Sequence, residues 1–131
     1  MNLSGSVLII DDDPNLAEIV EGYLEPKGCA THAARNGFQG LKMAREARPK
    51  VILCDMKMPH MAGTDVLRAL AADPTTAHIP RVLMTGNVDA DRSAAHGFLL
   101  KPFVEADLLA VLERVANNPV GRQSLHLACE V

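Results

Sequence analysis

The chain has no apolar run approaching the ~20 residues of a membrane span, so no membrane insertion is expected. Its first residues, MNLSGS, lack the basic and long apolar regions of a secretory leader. Cysteine is sparse. Cys29, Cys54 and Cys129 are odd in number, widely spaced and without a C-x-x-C pairing. They read as free thiols of a cytoplasmic protein, not as a disulfide framework or a metal site. The five histidines, His32, His60, His78, His96 and His126, show no H-E-x-x-H or similar spacing, which speaks against a histidine-ligated metal. There is no basic excess: the net charge is −3. Nucleic-acid binding through phosphate neutralisation needs a basic face, so no direct nucleic-acid binding is expected. No sequence repeat or low-complexity linker is present.

What remains is the composition of an ordinary globular protein. Of 131 residues, 48% are hydrophobic and 22% charged, enough for one domain with a real core. The stretch VLIIDDDPN, residues 7–15, is the most informative. A β-branched run without polar alternation suits a strand buried on both faces, as in a parallel sheet. It runs straight into three aspartates. Two unit charges a few ångströms apart repel by roughly 1 kcal/mol in water and about 4 kcal/mol at an effective dielectric near 20. Solvent, a helix N-terminus or a cation must offset that.

Asp13-Pro14 supplies one answer, an N-cap followed by proline at the first helical position. Leu16, Ile19, Val20, Tyr23 and Leu24 then follow at helical spacing, and Pro26 and Gly28 end that helix. Residues 29–34 form a weak strand candidate. Phe38, Leu41 and Ala44 predict a second helix that stops before Pro49. VILC, residues 51–54, is a further buried strand, followed by the loop MKMPHMAG and a helix from about Thr64 carrying Val66, Leu67 and Leu70. A loop from Asp73-Pro74 to Pro80 leads into a strand at 82–84. Between Gly86 and Gly97 there is room only for a short, poorly amphipathic helix. Residues 98–100 give the fifth strand. Leu108, Val111, Leu112 and Val115 give the last helix, which Asn117-Asn118-Pro119 stops. Strand and helix alternate five times, which implies a parallel sheet covered by helices on both faces. Residues 1–118 are expected to form the domain and 119–131 a tail, read as a disordered end, with a marginal strand through the alternating Leu125, Leu127, Cys129 and Val131 as the alternative.

The polar residues at the C-terminal ends of the strands carry the chemistry. Asp11 and Asp12 follow the first strand, Asp55 the third, Thr85 the fourth and Lys101 the fifth. Ligands of open parallel sheets bind beyond those ends. Each residue alone has a bland reading, as a loop acid, a cap, a strand-end threonine or a surface lysine. Five such coincidences at one edge are harder to accept than a single site. Carboxylates crowded together suit a hard divalent cation, and Mg²⁺ takes one or two of them with waters and phosphate oxygens. An ammonium and a hydroxyl beside the metal suit a transferring phosphoryl group.

These residues resemble the receiver domains of bacterial two-component response regulators. The resemblance covers about residues 5–117. It rests on Asp11-Asp12, on DMKMP from Asp55 to Pro59 with Gly63 after it, on VLMTG with Thr85, and on Lys101-Pro102-Phe103. It implies a doubly wound five-stranded parallel sheet of order 2-1-3-4-5, flavodoxin-like, here with a shortened fourth helix. It implies a phosphorelay switch, not an enzyme acting on other molecules. Asp55 would be the phosphoacceptor. Asp12 would ligate Mg²⁺ directly, Asp11 mainly through metal-bound water, and Asp55 with the Lys57 carbonyl would complete the protein ligands. Lys101, before a cis peptide at Pro102, would contact the phosphoryl oxygens, and Thr85 would move to donate to them. Phe98 occupies the switch-aromatic position, without a hydroxyl. The implied partners are a sensor histidine kinase or histidine phosphotransfer protein and an output protein that the sequence does not identify.

Two features qualify that picture. Thr85 and Lys101 are only sixteen positions apart, shorter than in typical members, so partner recognition is expected to differ from the common dimerisation through the fourth helix, fifth strand and fifth helix. Lys57 stands two residues after Asp55, either overhanging the phosphoryl group or merely solvated. The main alternative is a Mg²⁺-dependent haloacid-dehalogenase-type phosphohydrolase, suggested by Asp11-x-Asp13. Against it stand Asn15, the missing acidic pair after the lysine and an unused Asp55. A flavodoxin-like cofactor module is disfavoured by the absence of tryptophan, the single tyrosine and the lack of a phosphate loop after the first strand. A receiver-like domain that docks without phosphorylation is disfavoured by the complete acid, threonine and lysine set.

Overall fold

The structure, a computed structural model, describes residues 5–117. The tail read at 119–131, with its marginal strand, lies outside the described residues. Five parallel strands, β1 (Ser6–Ile10), β2 (Ala30–Ala34), β3 (Val51–Asp55), β4 (Arg81–Thr85) and β5 (Gly97–Leu100), form one sheet in the order 2-1-3-4-5. Four helices accompany them: α1 (Pro14–Leu24), α2 (Gly37–Ala47), α3 (Gly63–Ala72) and α4 (Glu105–Ala116). Among the described residues, no helix is long and apolar enough to cross a membrane.

Strand parity divides the core. Val7, Ile9, Val51, Leu53, Val82, Met84 and Leu99 pack with Val20, Leu24, Leu108 and Leu112 of α1 and α4. Leu8, Ile10, Ile52, Cys54 and Leu83 pack on the opposite face with Ala44, Val66, Leu67 and Leu70 of α2 and α3. The three central strands are buried along nearly their whole length, as the absence of alternation in VLII and VILC predicts. Each fully buried aliphatic side chain contributes roughly 1.5–3 kcal/mol relative to exposure.

Local signals set the boundaries. The Asp13 carboxylate accepts the Asn15 N–H at 2.9 Å, with Pro14 at the first helical position. Gly28, at φ +77°, closes a short 3-10 turn after α1. Asn36 caps α2 by accepting the Gln39 N–H at 2.8 Å.

The second helix forms as expected, but Phe38, one of the residues that predict it, is 64% exposed. Gly37, Gly40 and Ala44 face inward instead, because α2 lies so close to β1 that a Cβ on Gly40 would stand 2.6 Å from Ile10 Cδ1. The short helix expected between Gly86 and Gly97 is absent; residues 86–96 form turns, bends and irregular backbone. The reason is chemical. The side chains of Asn87 and Asp91 accept the N–H groups of Asp89 and Ser93, both at 2.9 Å. Such local bonds offer the backbone an alternative to the helical ladder.

Those turns are anchored by a side chain with no obvious role in the sequence. Arg81, 5% exposed, donates to the carbonyls of Ala94 (3.0 Å), Ala77 (3.0 Å) and Ile79 (3.2 Å). Its backbone N–H donates to His96 Nδ1 at 3.1 Å. Burial, then the neighbouring guanidinium, pushes the His96 imidazole down to about 4.

Candidate functional site

Hydrogen bonding in the sheet continues one residue beyond the strands. Asp11 N–H donates to Ala34 (3.0 Å), Met56 N–H to Met84 (2.9 Å) and Lys101 N–H to Thr85 (2.8 Å). Parity therefore carries over to the polar residues at this edge. Asp11, Asp55 and Lys101 continue the rows that face α1 and α4, and Met56 and Thr85 continue the rows that face α2 and α3.

On the first side the charges converge. One carboxylate oxygen from each of Asp11, Asp12 and Asp55 lies within 4.8 Å of the other two. Lys101 Nζ stands 2.6 Å from Asp55 Oδ1 and 4.0 Å from Asp11 Oδ2. Asp11 is 2% and Asp55 6% exposed, while Asp12 is open to solvent. Asp11 Oδ1 accepts the Asp13 N–H at 2.9 Å, but Oδ2 is buried and without a hydrogen-bond partner. Burial pushes the Asp11 carboxyl up to about 6; the Asp13 N–H works against the shift and the charge of Asp55 adds to it. A buried carboxylate oxygen with no partner is costly. It suits a cation, or water bound to one, so this donor set fits Mg²⁺: all oxygen, two carboxylates deep and one at the surface.

On the other side Thr85, 3% exposed, accepts the Asn87 N–H at 3.0 Å and donates its hydroxyl to Met56 Sδ at 3.3 Å. A cleft of about 350 Å³ opens between the two sides, lined by Asp55, Lys57, Thr85, Asn87 and Lys101 among others. At ~30 Å³ per water it has room for a hydrated ion beside a phosphoryl group. Lys57 is exposed on its rim. Phe98 is half-buried one row behind Thr85, where β4 and β5 pair Leu83 with Phe98 and Thr85 with Leu100. The Arg92 guanidinium carbon lies 3.6 Å from the Phe98 ring centroid.

The loop after β3 is folded around Asp55 through Gly63. Its N–H donates to the Met56 carbonyl at 2.8 Å, and a Cβ there would stand 2.1 Å from the Asp55 carbonyl oxygen. Lys101-Pro102 is a cis peptide, as the resemblance implies. The structure thus joins Asp11 and Asp12 to Asp55 in one acid cluster, and Asp55 and Lys101 share a cleft with Thr85, with Lys57 at its rim and Phe98 behind it. Asp13 caps α1 and does not join the acid cluster, which removes the D-x-D geometry of the hydrolase alternative. The sequence reading missed Met56 as the acceptor of the Thr85 hydroxyl. The signal was register: Asp55 pairs with Met84, which sets Met56 level with Thr85, and register is invisible until the strand pairing is known.

A doubly wound sheet with an acid cluster and a lysine at its carboxyl edge defines a class of phosphoryl-handling signalling domains. The chain belongs to the response regulator receiver domain family, whose model matches residues 7–113. A curated relative, the DNA-binding response regulator MtrA of Mycolicibacterium smegmatis, is 36% identical over 119 residues, which are 86% of this chain and 51% of that protein. The chain therefore spans about half the length of that relative. Among solved structures, the Vibrio cholerae chemotaxis protein CheY4 superposes with a TM-score of 0.78 at 29% identity, covering 84% of this chain and 97% of that one. The receiver domain of the sensor histidine kinase PA1611 of Pseudomonas aeruginosa, solved with a magnesium ion in its active-site cleft, gives a TM-score of 0.80 at 25% identity, covering 87% of this chain and 98% of that one. The family is one of signalling switches, not of classical enzymes, and the phosphohydrolase alternative finds no support.

Proposed function

We propose that Asp55 accepts a phosphoryl group from a phosphohistidine of a sensor kinase or histidine phosphotransfer protein. The observation that carries this reading is the convergence of Lys101 Nζ, 2.6 Å from Asp55 Oδ1, with the acid cluster around the same carboxylate. A carboxylate oxygen of Asp55 attacks phosphorus as the phosphorus–nitrogen bond breaks, and the leaving imidazole keeps the electron pair. Lys101 stabilises charge on the phosphoryl oxygens. Mg²⁺, held by Asp12, Asp55, the Lys57 carbonyl and, through water, Asp11, would supply the remaining positive charge to those oxygens. The product replaces a charge of −1 by about −1.5 to −2 and adds acceptor oxygens. Thr85 turns to donate to them, and Phe98 follows into the space behind it, biasing the surface around β4 and β5.

An apolar groove beside the site, lined by Leu16, Ile19, Tyr23 and Phe103, offers a docking face for a donor whose histidine must reach Asp55. The receiver unit in this reading is residues 1–118, with 119–131 a tail, and its setting is cytoplasmic. It catalyses only its own phosphoryl transfer and dephosphorylation. DNA binding is named for MtrA as a whole protein, and residues 5–117 are assigned no nucleic-acid contact. The test is intact-mass measurement after incubation with acetyl phosphate and Mg²⁺. One phosphoryl increment is expected, lost in Asp55→Asn; undiminished labelling of that variant refutes the assignment.

A further inference from the structure

We infer that Met56 is a positioning residue that parks the Thr85 hydroxyl in the resting state and so sets how readily the domain switches. The inference rests on the phosphoacceptor reading above. A hydroxyl has one proton to give. The Thr85 oxygen already accepts the Asn87 N–H, and its proton goes to Met56 Sδ. Thr85 is 3% exposed, so its resting partners are chiefly these protein groups. When the phosphoryl group is on Asp55, that proton must leave the sulfur for a phosphoryl oxygen.

The choice of acceptor matters. A thioether is a weak acceptor. It satisfies the buried hydroxyl yet gives it up at small cost to a charged oxygen, whose bonds are roughly twice as strong as neutral ones. A stronger acceptor would hold Thr85 back, and an apolar one would leave its proton unpaired at rest. Met56 is also placed to be felt further along. It packs against the same core cluster as Phe98, so the partner of the Thr85 hydroxyl and the aromatic at the switch position border one cluster. Its backbone is fixed by the bonds to Met84 and Gly63, which leaves the thioether arm as the movable part.

The experiment is calorimetric titration with beryllofluoride and Mg²⁺, a phosphoryl stand-in, on the whole chain. Met56→Leu conserves volume, is tolerated in most cores and removes the acceptor. It is expected to tighten binding about fivefold, the change in an equilibrium that one neutral hydrogen bond makes. Met56→Gln supplies a stronger acceptor of similar length and is expected to weaken binding by a similar factor. Opposite signs identify the hydrogen bond, since a purely packing role moves both variants the same way. In a Thr85→Ala background both effects should vanish. Shifts of the same sign, no shift, or shifts that persist without the Thr85 hydroxyl overturn the inference. Failure of the wild-type chain to bind beryllofluoride overturns instead the phosphoacceptor reading on which it rests.

Discussion

Gly63→Ala gives a sharp test of how the β3–α3 loop serves Asp55. A Cβ at this position would stand 2.1 Å from the Asp55 carbonyl oxygen and 2.8 Å from both the Asp55 carbonyl carbon and Met56 Cα. All three are backbone atoms, so no rotamer change relieves the clash. Real Cβ atoms essentially never come closer than 3.0 Å to such neighbours, which leaves about 0.9 Å to be made up by moving the backbone. Either the Gly63 N–H lets go of the Met56 carbonyl, or the peptide after Asp55 shifts. Overpacking of this kind typically costs about 1–3 kcal/mol. A misplacement of about 1 Å at a reacting group costs on the order of 10²-fold in rate. The expected result is therefore a lowered urea midpoint together with a rate of phosphoryl uptake from acetyl phosphate reduced about a hundredfold, followed by intact mass. Gly22→Ala is the internal control. Gly22 lies within α1, and nothing stands within 4 Å of its Cβ position. There alanine is expected to raise stability by about 0.5–1 kcal/mol and to leave uptake unchanged. A Gly63→Ala protein with wild-type stability and an uptake rate within threefold of wild type would refute the reasoning.

The remaining expectations concern charge. Lys101→Met removes the ammonium 2.6 Å from Asp55; a hydrogen bond to a charged group is worth about 1.5–3 kcal/mol, so uptake from acetyl phosphate should fall about ten- to hundredfold, and a change below threefold would contradict the role given to Lys101. Lys57→Ala should shorten the lifetime of phospho-Asp55 if the exposed ammonium shields it from water; an unchanged decay assigns Lys57 to solvent. His96 has its folded pKa depressed to about 4, from an ordinary 6.5, by burial and by Arg81. Its contribution to stability is thus fully present above pH 6.5 and is lost as pH falls through the window from 6.5 to 4. The urea midpoint should drop between pH 7.5 and pH 5, and the drop should be smaller in His96→Gln, whose amide oxygen can still accept the Arg81 N–H; equal drops in both proteins would remove His96 as the cause.

Much of this molecule was legible in residue type and order alone. VLII and VILC announced fully buried strands because neither contains a polar alternation, and Asp13-Pro14 announced a capped helix because both residues suit its first turn. The convergence of Asp11, Asp12, Asp55, Thr85 and Lys101 followed from one topological fact, that ligands gather at the carboxyl edge of a parallel sheet. Phe38 helped to reveal α2, but helical spacing reports periodicity without saying how close the helix lies to its sheet. Only the short distance from Gly40 to Ile10 explains why glycines, not the aromatic, face inward. The segment between Gly86 and Gly97 misled. Its length allowed a helix, but Asn87, Asp91 and the buried Arg81 hold its backbone in turns, and Arg81 looks in sequence like any other charged residue at the head of a strand.

Parity shows how the two halves of the site divide the work. Asp11, Asp55 and Lys101 continue the sheet face that packs on α1 and α4, whereas Met56, Thr85 and Phe98 belong to the face that packs on α2 and α3. In the proposed reading, charge added at Asp55 would be sensed on the other side of the sheet edge, by the Thr85 hydroxyl, whose proton would exchange Met56 Sδ for a phosphoryl oxygen. Behind that hydroxyl the expected helix is missing. Phe98 is instead bordered by Arg92 from the turn segment, itself tied to α3 through the ion pair of Asp91 with Arg68. The inward turn of Phe98 proposed above would break its stacking with Arg92, and the change would then reach the surface through a chain of turns pinned by Arg81 and Arg68. A helix shifts as a unit because its internal hydrogen bonds hold it rigid. Turns satisfied by their own side chains can rearrange singly. Under the proposed function, output from this domain would depend on which of those local bonds survive, and much less on the rigid displacement of a helix.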